Sequence, residues 1–417
     1  MYIGIIADDF TGATDAASFL VKGGLSVSIF NTIPTQCLST TTDAIIIAQK
    51  TRSLPPHDAV LQSVQAAQWL LDNGCNQLYF KYCSTFDSTA EGNIGPITDA
   101  LQKLTNSSFT LLCPALPING RTVYQGYLFV NSQLLCESGM KDHPLTPMKD
   151  ANLIRLMDKQ SAKKTAVIKH QDIVKGVDAV KDAILTLSQQ GYGYAVCDTI
   201  TDDDLLIIAK AAQNLPLLTG GSGLVGALAT IKSQRKSPSQ KLTFSPIKSG
   251  VIFSASCSLQ TNRQVEVYKK ISPSYKIDVQ LCLTDSEYPK KIAKWVLNNQ
   301  TNEYFPMVYA TVSSEELQQI QRQYGQETTS KAIEKLFYTI TQILKIKETN
   351  YFIVAGGETS GVVGKALEAE SFMTGQEIAP GVPWLKVLDD DIFITFKSGN
   401  FGNDQFFIIA QEMIKNG

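Results

Sequence analysis

The chain has 417 residues, of which 44% are hydrophobic and 18% are charged, and its net charge at pH 7 is −2. This length predicts two or three domains, and the composition is typical of a folded globular protein, not a disordered one. A near-neutral chain with no basic stripe is not expected to bind nucleic acid, and without an apolar run of roughly 20 residues it is not expected to enter a membrane.

The first residues and the cysteines indicate a cytoplasmic protein. The N-terminus reaches Asp8 and Asp9 without a basic segment, which does not fit a signal peptide. The 8 cysteines are scattered without a C-x-x-C pair, and the chain has only 3 histidines. We therefore expect reduced thiols, no zinc site and a cytoplasmic location.

Strand-like runs alternate with helical patterns along the first half of the chain. The predicted strands are Tyr2–Ile6, Ser26–Phe30, Ala44–Ala48, Leu78–Lys81, Phe109–Cys113, Ala166–Lys169, Tyr194–Asp198 and Pro216–Thr219. Between them, apolar residues recur at helical spacing over Asp58–Asn73 and Thr201–Asn214. This alternation predicts a mainly parallel sheet flanked by helices.

The segment Ser233–Ser249 is basic, rich in serine and carries two prolines, so it is predicted to be a linker between residues 1–232 and 250–417. Strand and helix signals resume after it. The predicted strands are Gly250–Ser254, Lys276–Leu281, Met307–Thr311, Tyr351–Ala355, Leu385–Leu388 and Ile392–Thr395, and the predicted helices are Ser286–Asn298 and Lys331–Ile346. The fold class is therefore α/β with two domains, each a mainly parallel sheet flanked by helices, and a ligand cleft between them.

Polar residues follow four predicted strands of the first domain. They are Asp8, Asp9 and Thr11, then Arg52, then Lys81, Ser84 and Asp87, and finally Arg121. Ligands bind at the carboxyl ends of strands in open α/β sheets, so this pattern predicts a polar-ligand site. The cations suit a substrate carboxylate, whereas the carboxylates suit sugar hydroxyls or a general base. Alternatively, Asp8, Asp9, Thr11 or the Asp87-Ser88 pair only caps a helix, and the cations lie on the surface.

Glycine and hydroxyl residues follow three strands of the second domain. The hexapeptide Gly356-Gly357-Glu358-Thr359-Ser360-Gly361 leads from an apolar run into an amphipathic segment. Free amides at a helix N-terminus favour an anion, glycine lets phosphate approach, and hydroxyls can donate to it. With Ser254–Ser258 and Lys397–Gly402, the hexapeptide predicts a nucleotide site. The alternative is an ordinary glycine turn with a Thr or Ser cap, since no P-loop lysine is present.

These segments, taken in order, resemble those of the four-carbon acid sugar kinase family. The matching motifs are IIADDFTGATDAA, KTRSLP, FKYCSTFDST, CPALPINGRTVYQGYLFV, ESGMKDHPLTPM, SASCS, VAGGETSG and KSGNFG. The resemblance covers essentially the whole chain. The branch that it resembles most is the 3-oxo-tetronate kinases, with threonate and erythronate kinases as close relatives.

The resemblance implies a substrate-binding domain at 1–232 and a nucleotide-binding domain at 250–417. It implies transfer of the γ-phosphoryl group of ATP, with Mg²⁺, to the terminal C4 hydroxyl of a four-carbon acid sugar. The implied ATP contacts are Ser256, Ser258, Gly356, Gly357, Glu358, Thr359, Ser360, Gly361, Gly399, Asn400 and Gly402. The implied substrate contacts are Thr11, Arg52, Lys81, Ser84, Arg121 and His143, and the candidate bases are Asp8, Asp9 and Asp87.

Several points stay open at this stage. For His143, a hydrogen-bonded structural role explains the sequence as well as a contact with substrate does. The sequence does not assign the Mg²⁺ ligands, the stereoisomer of the substrate or the oxidation state of its C3. It also leaves the oligomeric state open, and a homodimer is one option. A metal-dependent sugar-acid aldolase or dehydratase is a rival enzyme class, but it leaves the glycine loops without a purpose. A binding protein that closes on a sugar acid is a further rival.

Overall fold

The computed structural model describes residues 3–34, 42–142, 146–233, 242–301 and 303–416. The chain divides into two compact units, Met1–Gln240 and Lys241–Gly417. The predicted site residue His143 lies outside the described ranges, as do residues 234–241 of the predicted linker. Among the described helices, none combines the length and apolar character that crossing a bilayer requires.

The first unit is built from strands that alternate with helices. Its strands are β1 (Ile3–Ala7), β2 (Val27–Phe30), β3 (Ala44–Ala48), β4 (Leu78–Lys81), β5 (Thr110–Cys113), β6 (Arg121–Tyr124), β7 (Tyr127–Val130), β8 (Gln133–Leu134), β9 (Thr165–Ile168), β10 (Tyr194–Cys197) and β11 (Leu217–Gly220). Its helices are α1 (Phe10–Lys22), α2 (Pro56–Asp72), α3 (Ile94–Leu104), α4 (Leu153–Gln160), α5 (His170–Ile173), α6 (Val177–Gln189), α7 (Asp202–Ala212) and α8 (Ser222–Ser233).

The main sheet of this unit is parallel, in the order β2-β3-β1-β4-β11-β5-β10-β9. Strands β1, β3 and β4 are buried along their whole length, as expected for a parallel sheet covered by helices. Helix α1 packs against β2 and β3, and α2 packs against β1. The parallel sheet predicted from the sequence is confirmed here.

A separate antiparallel ribbon, β6-β7-β8, follows the fifth strand of the main sheet. Its first hairpin turns at Gln125 and Gly126, which both have positive φ, at 51° and 74°. Two consecutive positive φ values are typical of the tight hairpin turn whose twist matches that of the strands. The sequence analysis did not predict this ribbon.

The second unit also alternates strands with helices, but one edge of its sheet is antiparallel. Its strands are β12 (Gly250–Ser254), β13 (Ser274–Lys276), β14 (Met307–Tyr309), β15 (Tyr351–Ala355), β16 (Ser371–Ala379), β17 (Val382–Val387) and β18 (Phe393–Lys397). Its helices are α9 (Leu259–Tyr268), α10 (Val279–Thr284), α11 (Tyr288–Asn298), α12 (Ser314–Tyr324), α13 (Gln326–Ile346), α14 (Gly357–Ala366) and α15 (Phe406–Asn416).

The sheet order in the second unit is β13-β14-β12-β15-β18-β17-β16. The first five strands are parallel, whereas β17 and β16 are antiparallel to their neighbours. Beneath the sheet, Trp384, Tyr351 and Phe393 belong to a large aromatic cluster, and Tyr351 stacks on Phe393 with ring centroids 5.0 Å apart.

One predicted strand of this unit is wrong. Lys276–Leu281 does not form a single strand, because β13 ends at Lys276 and α10 begins at Val279. The Asp278 side chain accepts hydrogen bonds from the amides of Gln280 at 2.8 Å and Leu281 at 3.3 Å. This side-chain cap starts a helix in a short apolar run whose composition also fits a strand.

Candidate active site

The carboxyl ends of three strands meet in the first unit. In the register of the parallel sheet, Ala7 at the end of β1 is paired with Ala48 of β3 and with Lys81 of β4. The loops that follow these strands therefore begin at one edge of the sheet. Asp8, Asp9, Arg52 and Asp87 lie in these loops or just beyond them.

One guanidinium group binds the predicted carboxylates. Arg52 makes a two-pronged contact with Asp8, from Nε to Oδ2 and from Nη2 to Oδ1, both at 2.8 Å. Its Nη1 lies 2.7 Å from Oδ2 of Asp9 and 3.7 Å from Oδ2 of Asp87. Burial tends to lower the pKa of Arg52, but the charges of Asp8 and Asp9 outweigh it and raise the pKa, so the group stays charged.

The three carboxylates differ in exposure. The side chains of Asp8 and Asp87 are 5% and 8% exposed, whereas that of Asp9 is 30% exposed. Burial raises the pKa of the Asp9 carboxyl above its usual value, against the lowering effect of the Arg52 charge. Asp9 is thus the carboxylate of the three that an incoming ligand can reach, and its pKa shift favours proton acceptance.

Asp9 also begins helix α1. As the N-cap residue, its Oδ1 accepts a hydrogen bond from the Gly12 amide at 2.5 Å. The alternative of a helix cap is therefore correct for Asp9, but it does not exclude the contact with Arg52. For Asp87 the cap alternative is wrong, because the next helix, α3, is preceded by Asn93 as its N-cap residue.

The loop that carries Asp87 has an unusual backbone. Phe86 and Asp87 have positive φ values of 63° and 34°. This left-handed conformation is uncommon for residues other than glycine and is found disproportionately at functional sites. The Asp87 carboxylate is oriented by Thr85, whose hydroxyl donates to Oδ1 at 2.6 Å. The surrounding structure therefore fixes this carboxylate in place.

Lys81 lies at the end of β4 with its side chain only 3% exposed. Its Nζ donates to the carbonyl of Tyr82 at 2.9 Å and lies 3.9 Å from Oδ2 of Asp15. The Asp15 carboxylate in turn accepts a hydrogen bond from the Ser222 hydroxyl at the start of α8. Asp15 was not among the predicted site residues.

The remaining predicted substrate residues are placed less tightly. Thr11 and Ser84 are half-buried, in the first turn of α1 and in the turn after β4. Arg121 begins β6, and its Nη1 donates to the carbonyl of Asn119. The buried Nε of Arg121 has no hydrogen-bond partner among the described residues. Within the described ranges, no hydrogen bond or ion pair joins Arg121 to the carboxylates around Arg52.

In the second unit, three strand ends also meet. Ser254 of β12 is paired with Ala355 of β15, which is paired with Lys397 of β18. The Gly356 amide donates to the Lys397 carbonyl at 2.9 Å. The glycine and hydroxyl segments predicted as a nucleotide site therefore begin side by side.

The hexapeptide forms the first turns of α14. Its N-cap residue is Gly356, with φ 134°, and no side chain caps the helix. A Cβ at Gly356 would be strained by this φ and would lie 3.2 Å from the Ser256 amide nitrogen, so glycine is required here. The alternative of a Thr or Ser cap is wrong, because the Ser360 hydroxyl donates to the Gly356 carbonyl within the helix, at 2.7 Å.

The amides at the start of α14 are available to a ligand. The first hydrogen bond of the helix runs from the Ser360 amide to the Gly356 carbonyl at 2.9 Å, so the amides of Gly357, Glu358 and Thr359 have no partner within the helix. Gly357 and Glu358 are exposed. With the helix dipole, these amides are suited to an anion.

A cavity of about 780 Å³ adjoins these amides. One wall is formed by Gly356–Thr359 and Ala255–Cys257. Apolar side chains line the part formed by the helices, and they are Val279, Val312, Leu317, Ile320, Ile333 and Phe337. This volume suits a ligand of nucleotide size, with an apolar surface for a flat ring beside an anion-binding terminus.

In the second unit, the loop after β18 is held against the loop after β12 by close contacts. The Gly399 carbonyl accepts from the hydroxyls of Ser258 and Thr261, both at 2.7 Å. A Cβ at Gly399 would lie 2.6 Å from the Ser256 Oγ, so the close approach of the two loops requires glycine. Asn400 is exposed, and Gly402 has a positive φ of 75°.

Gln264 and Lys397 hold this loop in place. The sequence analysis did not single out Gln264, and it named Lys397 only as the first residue of the segment Lys397–Gly402, without a role. Gln264 is fully buried, and its Nε2 donates to the carbonyls of Phe401, Gly402 and Asn403 at 2.9–3.3 Å. Lys397 ends the buried run Phe393–Lys397, and a lysine in such a run is a signal that could have been noticed.

No preformed metal cage is present in the part of the chain that the structure describes, since it holds no group of three or more His, Cys, Asp or Glu side chains placed to bind an ion. The cysteines within the described ranges are free thiols.

Two family models match this chain. Residues 3–228 match a sugar-binding N-terminal domain, and residues 251–407 match a nucleotide-binding C-terminal domain. Among curated relatives, the 3-oxo-tetronate kinase of Haemophilus influenzae is 49% identical over 412 residues, covering 99% of each chain. The 3-oxo-tetronate kinase of Actinobacillus succinogenes is also 49% identical, covering 99% of this chain and 100% of the relative.

A solved structure from Salmonella typhimurium LT2 has the same architecture. It is 47% identical to this chain, covers 99% of both chains and superposes with a TM-score of 0.95. Relatives of this identity and coverage, together with both domain models, agree with the ordered motifs. The chain therefore belongs to the four-carbon acid sugar kinase family.

Proposed function

We propose that this protein is an ATP-dependent kinase that phosphorylates the terminal C4 hydroxyl of 3-oxo-tetronate. The observation that carries the proposal is the near-half identity, along the whole chain, to proteins named 3-oxo-tetronate kinase. The geometry of both units supports it, because one offers amides for an anion and the other a reachable carboxylate. Threonate or erythronate 4-kinase is the alternative of the same class.

ATP binds in the cavity of the second unit. Its phosphates lie at the start of α14 and accept hydrogen bonds from the amides of Gly357, Glu358 and Thr359. The adenine ring lies in the apolar part, against side chains such as Ile320 and Ile333. Support comes from the cavity, which joins an apolar wall to a helix N-terminus within one volume.

The acid sugar binds at the loops after β1, β3 and β4. Asp9 accepts the proton of the C4 hydroxyl, because it is the exposed carboxylate of its cluster and its pKa is raised by burial. Arg52 is largely occupied by Asp8 and Asp9, so its role is to position these carboxylates. The substrate carboxylate is bound by Arg121 instead, whose buried Nε lacks a partner among the described residues.

Mg²⁺ is part of the proposal as a companion of the triphosphate. This ion keeps several waters and takes one or two carboxylates together with phosphate oxygens, so it needs no protein cage. Glu358, exposed at the cavity wall beside Gly357, would hold it directly or through water. When bound, the ion would neutralise part of the phosphate charge.

Phosphoryl transfer relies on positioning and charge compensation more than on covalent help from the protein. The proposed reaction therefore requires a state in which the γ-phosphoryl group and the C4 hydroxyl come within reacting distance. In that state water is excluded from the reacting groups, because hydrolysis of ATP is the competing reaction.

The test is a coupled assay of ADP release with ATP and each of four acids: the two 3-oxo-tetronate stereoisomers, threonate and erythronate. We expect the highest kcat/KM with a 3-oxo-tetronate, and a product whose mass has increased by one phosphoryl group. Higher kcat/KM with threonate or erythronate would favour the alternative kinase. Conversion without ADP release, to a product of unchanged or lower mass, would contradict kinase activity and favour an aldolase or dehydratase.

A further inference from the structure

Lys397, the last residue of β18, is the one lysine buried among the described residues of the second unit, and the proposed function does not use it. Its side chain is completely buried. Its Nζ donates three hydrogen bonds, each at 3.0 Å, to the Thr261 hydroxyl and to the carbonyls of Ser398 and Gly399. Among the described residues, no carboxylate forms an ion pair with this amine.

The contacts of Lys397 connect all three glycine and hydroxyl segments. Its carbonyl accepts from the Gly356 amide at the start of the hexapeptide. Its amine shares the Gly399 carbonyl with Ser258 and Thr261, which begin the helix after the first segment. A single residue therefore links the loop after β12, the loop after β15 and the loop after β18.

Such an arrangement is unfavourable for packing alone. Burying a lysine amine without an anionic partner is costly, and an apolar side chain of similar length would fill the same space without that cost. The carbonyls of Ser398 and Gly399 point inwards to this amine, which turns the loop in the direction that brings Gly399 against Ser256 and Ser258. The amine thus determines the conformation of the Ser398–Gly399 turn, and a ligand would contact the surface that this turn forms.

We propose that Lys397 is a positioning residue of the nucleotide site: its buried amine holds the Ser398–Gly399 turn against Thr261 of α9, and its carbonyl joins them to the hexapeptide as one cradle for the phosphates of ATP. Because the side chain is buried, it acts through Ser258, Thr261 and the Ser398–Gly399 turn and does not touch the nucleotide. This inference rests on the proposed function, since it requires that the second unit binds ATP.

The test compares Lys397→Met with wild type in steady-state kinetics and thermal unfolding. We expect KM for ATP to rise by about tenfold or more, with KM for the acid sugar within about twofold of wild type. We expect the melting temperature to be maintained, because methionine removes a buried amine and keeps the volume. A merely structural role would instead lower the melting temperature and change both KM values together.

Two further variants keep the test decisive. Thr261→Val removes the hydroxyl that accepts from Lys397 and donates to Gly399, so it should raise KM for ATP in the same selective way. If Lys397→Met does not fold, this variant decides. Lys386→Met is the matched control, because Lys386 lies on β17 with its amine over the Phe393 ring, and it should leave both KM values unchanged.

The possible failures are distinguishable. If wild type neither binds nor uses ATP, the proposed function fails and this inference fails with it. If wild type uses ATP but Lys397→Met and Thr261→Val keep its KM for ATP, only the inference is overturned. Equal losses for ATP and acid sugar, with a lower melting temperature, would also overturn it.

Discussion

The two units place their predicted binding residues at the same position, the carboxyl ends of parallel strands, but they use different chemistry. In the first unit, charged side chains face one another, with Arg52 between Asp8, Asp9 and Asp87. In the second unit, the start of α14 offers backbone amides, and Lys397, the one lysine buried among the described residues of this unit, donates to carbonyls and a hydroxyl. Charged side chains suit proton transfer and discrimination between ligands. Free backbone amides suit a phosphate group, which many enzymes bind.

The two strand-end lysines show the same contrast. Lys81 has the Asp15 carboxylate 3.9 Å away, whereas the amine of Lys397 contacts no titratable group among the described residues. A lysine at the end of a buried strand therefore has two uses in this molecule. One belongs to a charged network, and the other fixes a glycine loop. Substitutions in each unit can test whether this division holds.

The largest expected effect is that of Asp9→Asn. If Asp9 is the base, kcat should fall by about 10²–10⁴-fold, because the amide cannot accept the hydroxyl proton. Asparagine is also a good N-cap residue, so α1 should keep its start and the protein its fold. The measurement is kcat at saturating ATP and acid sugar, with ATP affinity as a check on the other unit.

The exposed helix carboxylate Asp58 provides the control for this change. Asp58→Asn, in the first turn of α2, should leave kcat unchanged. Full turnover in Asp9→Asn would remove Asp9 as the base and direct attention to Asp8 and Asp87.

A smaller effect is expected for Gly357→Val. A Cβ at Gly357 meets nothing within 4 Å, so the fold accepts a side chain, but a ligand at the α14 amides would not. We expect Kd for ATP to increase by about tenfold or more, equivalent to about 1.4 kcal/mol, and Gly357→Ala to give a smaller increase. Isothermal titration with a non-hydrolysable ATP analogue measures this change.

Gly364→Ala is the matched control on the same helix. Its Cβ would make an ordinary contact at 3.5 Å with the Phe396 ring, away from the helix N-terminus. This variant should bind the analogue as wild type does. Unchanged affinity in Gly357→Val would exclude the hexapeptide as the phosphate site.

The last prediction concerns pH and the stability of the fold, not activity. Burial lowers the pKa of Lys397 to about 7, whereas an unfolded lysine titrates near about 10.4. Between these values the unfolded chain holds a proton that the folded chain has lost, so stability should rise with pH. The groups in contact with the amine, namely Thr261, the Ser398 and Gly399 carbonyls and the Phe406 ring, do not titrate.

The measurement is urea unfolding of wild type and Lys397→Met across this range. From about pH 7 to about pH 9, the free energy of unfolding of wild type should gain on that of the variant, by at most about 1.4 kcal/mol per pH unit. Other titrating groups are common to both proteins and cancel in the difference. A difference that does not change with pH would mean that Lys397 remains charged in the folded protein.

The sequence predicted the sheet and its strand ends well, because buried parallel strands are continuous apolar runs with polar residues directly after them. The hexapeptide at the start of α14 was identified in this way. The ribbon β6-β7-β8 was missed, because its short strands carry no strong alternation of polar and apolar residues. The error at Lys276–Leu281 came from a helix cap, Asp278, within a run that also fits a strand.

The contacts inside the sites were beyond the reach of sequence reasoning. Arg52 was expected to bind a substrate carboxylate, but the distances to Asp8 and Asp9 favour a positioning role that depends on how two strand ends are paired. Lys397 was part of the motif KSGNFG, but its role could not be predicted, because two of its partners are backbone carbonyls, which every residue has. Residue type predicts which chemistry is available, whereas the register of the sheet decides which groups meet.

The central claim is that bare amides of the second unit hold the phosphates of ATP. A crystal structure with a non-hydrolysable ATP analogue and Mg²⁺ tests it most directly. We predict phosphate oxygens within hydrogen-bonding distance of the amides of Gly357, Glu358 and Thr359, with the adenine ring near Ile320 and Ile333. Phosphates bound at another place, with these amides facing only solvent, would contradict the account.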